Sequence, residues 1–281
     1  MVVEEPSVIA ACSSAAKFIS ENAGGFKAGA TESIMRGQMQ ILDCDCDRAK
    51  FIIEQNSKKI IDYANQACQN MVSRGGGVVR VKPKIIPCGN DLKMIDSHYS
   101  DMLVVDIMIN VCESMGANII NTVVEHTSPY VAELVGGRPG IKILTNLCKD
   151  RRAFAYFEIP IEKMKWKTTS GEEVAKRMIE AYLFAKHDVY RAVTHNKGIM
   201  NGIDAAAVAT GQDWRAIEAA AHTYSEISKY LPLILKLSHI LAHGKYQPLT
   251  QYSIKKDANG KIFFKGSIEL PISLGTVGKH F

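Results

Sequence analysis

The order of strand and helix patterns between Glu32 and Asn146 limits the fold more than any other feature of this sequence. Residues 34–42 alternate like a strand, and Asp47–Ala67 carries apolar residues at helical spacing before a run of three glycines. The patterns that follow are a strand over Val78–Ile86, a strand over Met102–Val111, a helix over Met115–Leu134 and a strand over Ile141–Thr145. This βαββαβ order predicts a split βαβ, or ferredoxin-like, domain.

The segments on either side of this domain are richer in helix formers. We therefore predict an α+β protein in which a mainly helical large domain, residues 1–31 and 147–281, carries an inserted ferredoxin-like domain, residues 32–146. Many binding modules share the inserted pattern, so it predicts architecture better than function. The helices predicted in the large domain are Ala10–Ser20, Gly171–Lys186 and Trp214–Ser228.

Charge and hydropathy exclude several classes of partner. The net charge is only +5 and the basic residues form no sustained run, so we predict no nucleic acid partner; a mild excess fits anionic small molecules. The longest apolar run, Leu231–Leu241, is interrupted and too short to span a bilayer, and no signal sequence opens the chain. Seven cysteines without a CxxC pair predict reduced thiols and no metal site. We expect a cytoplasmic protein.

Three short segments combine residues that carry chemistry. Tyr190–Asp204 mixes polar, charged and glycine residues, which predicts a loop that binds an anion and a reactive carbonyl, although a solvated loop with incidental charges has the same composition. Asp213 precedes a predicted helix, where capping is the simplest role for an aspartate. Glu4 and Glu5 precede Pro6 and a helix, a place where acidic residues usually only favour the helix dipole.

Four segments in this order resemble class II 3-hydroxy-3-methylglutaryl-coenzyme A (HMG-CoA) reductases. The likeness extends over most of residues 2–228, resumes near His243 and ends at Gly275–Gly278. One such motif would be weak, but chance does not explain four in sequence. The segments are Val2–Ser7, Glu113–Asn118, Thr194–Asp204 and Ala209–Arg215.

The resemblance implies a fold, a reaction and partners. In that family the large domain binds the acyl-CoA and the inserted domain binds NADPH or NADH. Two successive hydride transfers reduce HMG-CoA to mevalonate and coenzyme A in the mevalonate pathway of isoprenoid synthesis, or run in reverse. Class II enzymes pair two subunits around one active site, so the resemblance also implies a homodimer or a higher homo-oligomer.

The resemblance also assigns catalytic roles. Lys197 matches the lysine whose ammonium stabilises the oxyanion on the former thioester carbonyl. Glu5 matches the glutamate that donates a proton to that oxygen, a role that requires burial to raise its pKa. Asp213 matches the aspartate that hydrogen-bonds both groups, and Asn201 joins the same network.

Binding residues follow in the same way. Ser7, Arg191 and Thr194 match substrate positions, and the Arg191 guanidinium suits the free carboxylate of the hydroxymethylglutaryl group. A turn that opens a helix can also place backbone N–H groups against a pyrophosphate. The positions that match the cofactor site are Cys68, Met115, Gly116, Ala117, Asn118 and Asn146. Cys68 stands where NAD-preferring members carry an aspartate, so neither NADH nor NADPH is predicted over the other.

The sequence also departs from the family. It lacks the preceding segment with its Glu-Asn-Val-Ile-Gly stretch, has an extra apolar segment at Lys229–Ala242 and stops after Gly278, before the flap histidine that protonates coenzyme A; His280 does not match that motif. We therefore expect little activity from these 281 residues alone. The alternatives are a catalytically impaired fragment or non-catalytic subunit with the reductase fold, and a ligand-sensing module.

Overall fold

The computed structural model describes residues 3–89, 101–227 and 250–271. The predicted insert at 229–242, the element at 275–278 and His280 lie outside these residues. The chain divides into two compact units: the small unit is Glu32–Arg151, and the large unit is formed by the chain before Glu32 and after Arg151.

The helices and strands are labelled in chain order. They are α1 Pro6–Ala23, β1 Lys27–Ala30, β2 Ile34–Leu42, α2 Cys46–Gln55, α3 Ser57–Asn65, a 3₁₀ turn Gln66–Cys68, α4 Gln69–Val72, β3 Gly77–Pro87, β4 Asp101–Asn110, α5 Ala117–Val135, β5 Arg138–Leu144, β6 Arg152–Pro160, a 3₁₀ turn Ile161–Met164, α6 Gly171–His187, α7 Val189–Ala209, α8 Trp214–Ile227, β7 Thr250–Lys256 and β8 Ile262–Pro271.

The small unit has the predicted split βαβ architecture. Its four strands form an antiparallel sheet in the order β3-β4-β2-β5, so that β4 lies between the two strands that α2, α3 and α4 connect. Strict alternation in β2 turns Met35, Met39 and Ile41 toward α5, where they are almost completely buried. The α+β fold class is therefore confirmed, with every predicted strand of this unit present.

The opposite face of this sheet holds a buried carboxylate. Asp106 of β4 is 1% exposed, and it accepts hydrogen bonds from Arg36 (2.7 Å) and Gln38 (2.8 Å) of β2. The Lys84 ammonium of β3 lies 3.0 Å from Asp106 Oδ1, and Arg36 also donates to Asp150 at 2.6 Å. Each carboxylate oxygen thus has charged or polar partners, which offset the cost of its burial.

The large unit contains a second antiparallel sheet that the sequence patterns did not predict. Its strand order is β1-β6-β8-β7. One face packs against α1 and α6 around Ile19, Ile159, Met164 and Phe264. The alternation in β6 is weak because most of its side chains are only half-buried, so the strand does not stand out from the helical segments around it.

The predicted loop over Tyr190–Asp204 is wrong, because these residues lie within helix α7 from its first turn onward. Asp188 caps this helix by accepting the Arg191 N–H at 2.7 Å. Three residues spaced four apart, Ala192, Asn196 and Met200, form a buried stripe. Each internal glycine costs a helix about 1 kcal/mol relative to alanine, and packing of this stripe outweighs that cost.

No helix among the described residues is long and apolar enough to cross a membrane.

Candidate active site

Helix α7 carries four of the predicted site residues. Thr194, Lys197 and Asn201 are spaced three and four apart, so they lie on one side of the helix, opposite the buried stripe. Lys197 and Thr194 are exposed and Asn201 is half-buried. The Thr194 hydroxyl donates to the carbonyl of Tyr190 at 2.9 Å, whereas Lys197 makes no ion pair with any residue that the structure describes. This ridge presents an ammonium, an amide and a hydroxyl to the solvent.

Arg191 lies in the first turn of α7 and is half-buried. Burial lowers the pKa of the neighbouring His195, and the Arg191 charge lowers it further. Both effects favour the neutral imidazole. The sequence motif contains His195, but nothing in the pattern indicated that burial and the Arg191 charge act on it.

Glu5 and Ser7 stand at the start of α1. Glu5 is the N-cap residue, Pro6 occupies the first helical position, and the Val8 N–H donates to the Glu5 carbonyl at 3.2 Å. The side chains of Glu5 and Ser7 are exposed, and the Glu5 carboxylate makes no cap hydrogen bond. The burial that the acid role of Glu5 requires is thus not provided by the described residues.

Asp213 caps α8. Its Oδ1 accepts the N–H of Ala216 at 3.1 Å, and its carbonyl accepts the N–H of Ile217 at 3.1 Å. The capping role that the sequence predicted for Asp213 is therefore present. A cap uses one carboxylate oxygen, so Oδ2 stays available to a second donor.

Packing brings these segments together in the large unit. Helix α7 contacts α1, α6 and α8. Helix α1 begins directly after Glu5 and includes Ser7, and α8 begins directly after Asp213. Within the described ranges, however, no hydrogen bond or ion pair joins any of these side chains to Lys197 or Asn201. The large unit gathers the helices that carry the predicted catalytic groups, but it leaves those groups separately solvated.

One acidic residue of α7 escaped the sequence analysis. Asp204 lies one turn after Asn201, and burial raises its pKa to about 6, with the Glu218 carboxylate of α8 adding to the shift. Its Oδ1 is buried and has no hydrogen-bond partner in the described part of the chain. His222, which partly offsets the shift, lies 3.6 Å from Glu218. No spacing rule could reveal this cluster, since it depends on how α8 packs on α7.

The predicted cofactor positions around residue 116 lie at the start of α5 in the small unit. Gly116 is the N-cap residue with φ 98°, and a Cβ there would lie 2.7 Å from Met35 Sδ, so only glycine fits. The first turn has no side-chain cap and no acidic residue. Met115 and Asn118 are exposed and Ala117 is half-buried. The unpaired N–H groups of this turn can bind an anion such as a pyrophosphate.

The two remaining cofactor positions differ in access. Asn146 is exposed, and its carbonyl accepts the Cys148 N–H at 3.1 Å. Cys68 is only 2% exposed, with its Sγ 3.6 Å from Asn65 Oδ1, and burial raises the pKa of its thiol. A ribose cannot reach such a side chain without movement of the surrounding helices, so the structure weighs against the predicted contact. No pattern around Cys68 in the sequence indicated this burial.

This architecture defines an α+β protein in which a ferredoxin-like unit with an open helix N-terminus interrupts a larger unit built from helices and an antiparallel sheet. Residues 1–280 match the family model described as hydroxymethylglutaryl-coenzyme A reductase. The chain belongs to this family, which confirms the resemblance read from its four motifs.

Named relatives agree. The chain is 37% identical over 281 residues to the 3-hydroxy-3-methylglutaryl-coenzyme A reductase of Archaeoglobus fulgidus, covering 99% of this chain and 56% of that protein. It is 28% identical over 278 residues to the probable reductase of Borreliella burgdorferi, with the same two coverages of 99% and 56%. The chain therefore spans little more than half the length of these relatives.

Solved structures agree as well. The reductase of Streptococcus pneumoniae superposes with a TM-score of 0.79 at 35% identity, covering 96% of this chain and 65% of that one. The class II enzyme of the same organism, bound to NADPH in open conformations, has a TM-score of 0.79 at 36% identity, covering 96% and 66%.

Proposed function

We propose that this protein reduces HMG-CoA to mevalonate and coenzyme A, or catalyses the reverse reaction, in the mevalonate pathway. The observation that carries the proposal is the match of residues 1–280 to the reductase family, with the family's lysine on a solvent-facing ridge of α7. The reaction needs a cation at the carbonyl, an acid beside it and an anchor for the distal carboxylate. Lys197, Glu5 and Arg191 supply these groups.

In this mechanism Lys197 stabilises the charge that develops on the thioester oxygen, and Glu5 donates the proton to that oxygen when the aldehyde is reduced. Asp213 uses the oxygen that does not cap α8 to hold the lysine, and Asn201 completes the network. Arg191, Ser7 and Thr194 bind the hydroxymethylglutaryl group, because a guanidinium and hydroxyls pair well with a carboxylate.

A nicotinamide cofactor, when bound, supplies the hydride. The open first turn of α5, with Met115, Gly116, Ala117 and Asn118, and the exposed Asn146 fit its pyrophosphate and neighbouring groups. The Streptococcus pneumoniae enzyme binds NADPH, which supports NADPH here. The proposal includes NADH as well. Cys68 is buried and has no carboxylate, so it neither binds a ribose hydroxyl of NADH nor repels the 2′-phosphate of NADPH.

We also propose that the protein forms a homodimer or a higher homo-oligomer. Glu5, Lys197 and Asp213 are exposed in one chain, and an exposed ammonium in water stabilises an oxyanion only weakly. A second subunit that covers these groups would exclude water and strengthen that interaction. Seven free cysteines support a reducing compartment, the cytoplasm.

The full-length protein tests the proposal. Purified protein is incubated with HMG-CoA and either NADPH or NADH, and cofactor absorbance and mevalonate are followed together. We expect two equivalents of cofactor oxidised per mevalonate formed, with acetyl-CoA as an inactive control. Oligomeric protein that forms no mevalonate with either cofactor would overturn the proposal.

A further inference from the structure

Helices α1 and α7 approach each other closely in the large unit. A Cβ atom built on Gly202 of α7 would lie 3.1 Å from Cys12 Sγ of α1, nearer than the roughly 3.5–4.0 Å of an ordinary contact. Gly198, one turn earlier on the same helix, has no neighbouring heavy atom within 4 Å of such a Cβ in the described structure. A side chain at Gly202 would therefore press against Cys12 of α1, whereas a side chain at Gly198 would meet no described residue.

Each side of this contact lies on a helix that also carries or follows proposed catalytic residues. On α1, Cys12 follows Glu5 by seven residues, two helical turns or about 10 Å along the axis. On α7, Gly202 directly follows Asn201 and lies five residues, about 7.5 Å, after Lys197. Because Pro6 fixes the first turn of α1, a displacement of the helix at Cys12 is carried to Glu5 as a rigid-body movement.

We propose that Cys12 and Gly202 are positioning residues, whose contact sets where Glu5 stands relative to Lys197 and Asn201. The inference rests on the proposed reductase function. Neither residue is assigned a contact with substrate or cofactor. A wider helix crossing moves the acid away from the cation, and a misplacement of 1 Å can cost about 10²-fold in rate. Ser7 lies on the same helix as Glu5, so KM for HMG-CoA rises as kcat falls.

Cross-linking tests the geometry without any assay of activity. In a Gly202→Cys variant, the new thiol and Cys12 meet the distance range of a disulfide, and diamide should link them. Gly198→Cys is the matched control, and Gly202→Cys with Cys12→Ser removes the partner. Peptide mapping by mass spectrometry identifies the bond. A link absent from Gly202→Cys, or equally strong in Gly198→Cys, overturns the inference.

Turnover of the full-length protein tests the positioning role. We expect kcat to fall about 3-fold in Gly202→Ala and about 10²-fold in Gly202→Leu, with a rise in KM for HMG-CoA because Ser7 moves with α1. Ala206→Leu, at an exposed residue of α7 away from the ridge of Thr194, Lys197 and Asn201, is the control and is expected to stay within about threefold of wild type. Adding Cys12→Ala to Gly202→Ala makes room for the new methyl group and should restore kcat, which mere instability of α7 would not predict.

Lys197→Ala, assayed alongside, separates two kinds of failure. If Lys197→Ala is inactive while Gly202→Ala and Gly202→Leu retain wild-type kcat, the positioning inference fails and the proposed function stands. If Lys197→Ala retains turnover, the proposed catalytic site fails and the inference fails with it. Should Gly202→Leu not fold, as judged by circular dichroism, rescue of Gly202→Ala by Cys12→Ala still decides the matter.

Discussion

The two units differ in the partners that surround a buried carboxylate. In the small unit, Asp106 is buried within a network in which Arg36, Gln38 and Lys84 serve both of its oxygens. In the large unit, Asp204 has a buried oxygen that no described residue bonds. The small unit surrounds its buried carboxylate with cations and an amide, whereas in the large unit one buried oxygen of Asp204 has no described partner. The contrast concerns these two carboxylates, since His126 Nε2 and Ser128 Oγ of the small unit are also buried without a described partner. A buried carboxylate with a raised pKa and no partner is more typical of a functional region than of a core.

The largest effect is expected at Asp106. Asp106→Ala leaves Arg36 and Lys84 without their shared partner on a buried face, so we expect unfolding free energy to fall by about 3–5 kcal/mol. Urea denaturation followed by circular dichroism measures it. The matched control is Asp45→Ala, which removes an exposed helix cap and is expected to cost only about 1 kcal/mol. Equal losses in the two variants would show that the Asp106 network does not stabilise the small unit.

Next comes Lys197 in the large unit, where the expected loss is in chemistry and not in stability. Removing a group that stabilises an oxyanion typically costs about 10²–10³-fold in rate, so we expect Lys197→Ala to lose at least that much kcat. Its unfolding curve should match wild type, since the side chain is exposed and unpaired in the described structure. Lys176→Ala, at another exposed helical lysine, is the control. Near-native turnover in Lys197→Ala would contradict the assigned role.

The same contrast explains what the sequence could predict. In the small unit β2 alternates strictly and β4 is mostly apolar, and all four strands were predicted to within three residues at each end. In the large unit, β6 alternates weakly, and the glycines at 198 and 202 made α7 resemble a loop. The pattern is clearest in β2, whose one face is buried, whereas β5, with no fully buried residue, was predicted three residues short at its start. Elsewhere tertiary packing decides, and one sequence does not reveal it.

The candidate site shows the same limit. Motifs identified Lys197, Asn201 and Asp213, and the capping role allowed for Asp213 is present. The solvent exposure of the site side chains could not be predicted, because it depends on packing between segments that are distant in the sequence. Thus Cys68 proved buried and Glu5 exposed, and burial together with the Glu218 carboxylate of α8 raises the pKa of Asp204.

A substitution at Cys68 sharpens this point in the small unit. Cys68→Asp places a carboxylate where the side chain is 2% exposed and has no cationic partner, so we expect a loss of roughly 3 kcal/mol in unfolding free energy. Cys68→Ala, the control, is expected to cost about 1 kcal/mol. Thermal denaturation of both variants measures the difference. If Cys68→Asp folds normally and shifts the kcat/KM ratio toward NADH, position 68 does reach the ribose as the sequence predicted.

The smallest effect concerns Asp204 and has a defined pH dependence. Its pKa is raised to about 6 in the folded protein from an ordinary value of 3.8, so the folded state binds a proton more tightly than the unfolded state. Folding is therefore unaffected by this group below pH 4, and stability falls as pH rises from about 4 to 6. After allowance for solvent screening of a partly exposed group, the loss is on the order of 1 kcal/mol. Asp204→Asn keeps the shape and removes the charge.

We expect Asp204→Asn to match wild type at pH 4 and to exceed its unfolding free energy by about 1 kcal/mol at pH 7 and above. Urea titrations at half-unit pH intervals measure both curves. Glu180→Gln, at an exposed residue of α6, controls for removal of one negative charge and should run parallel to wild type. Since Glu218 adds to the shift, Glu218→Gln should recover part of the same stability at neutral pH. Parallel curves for Asp204→Asn and wild type would mean that Asp204 is as well solvated or bonded as Asp106, and the contrast between the units would be lost.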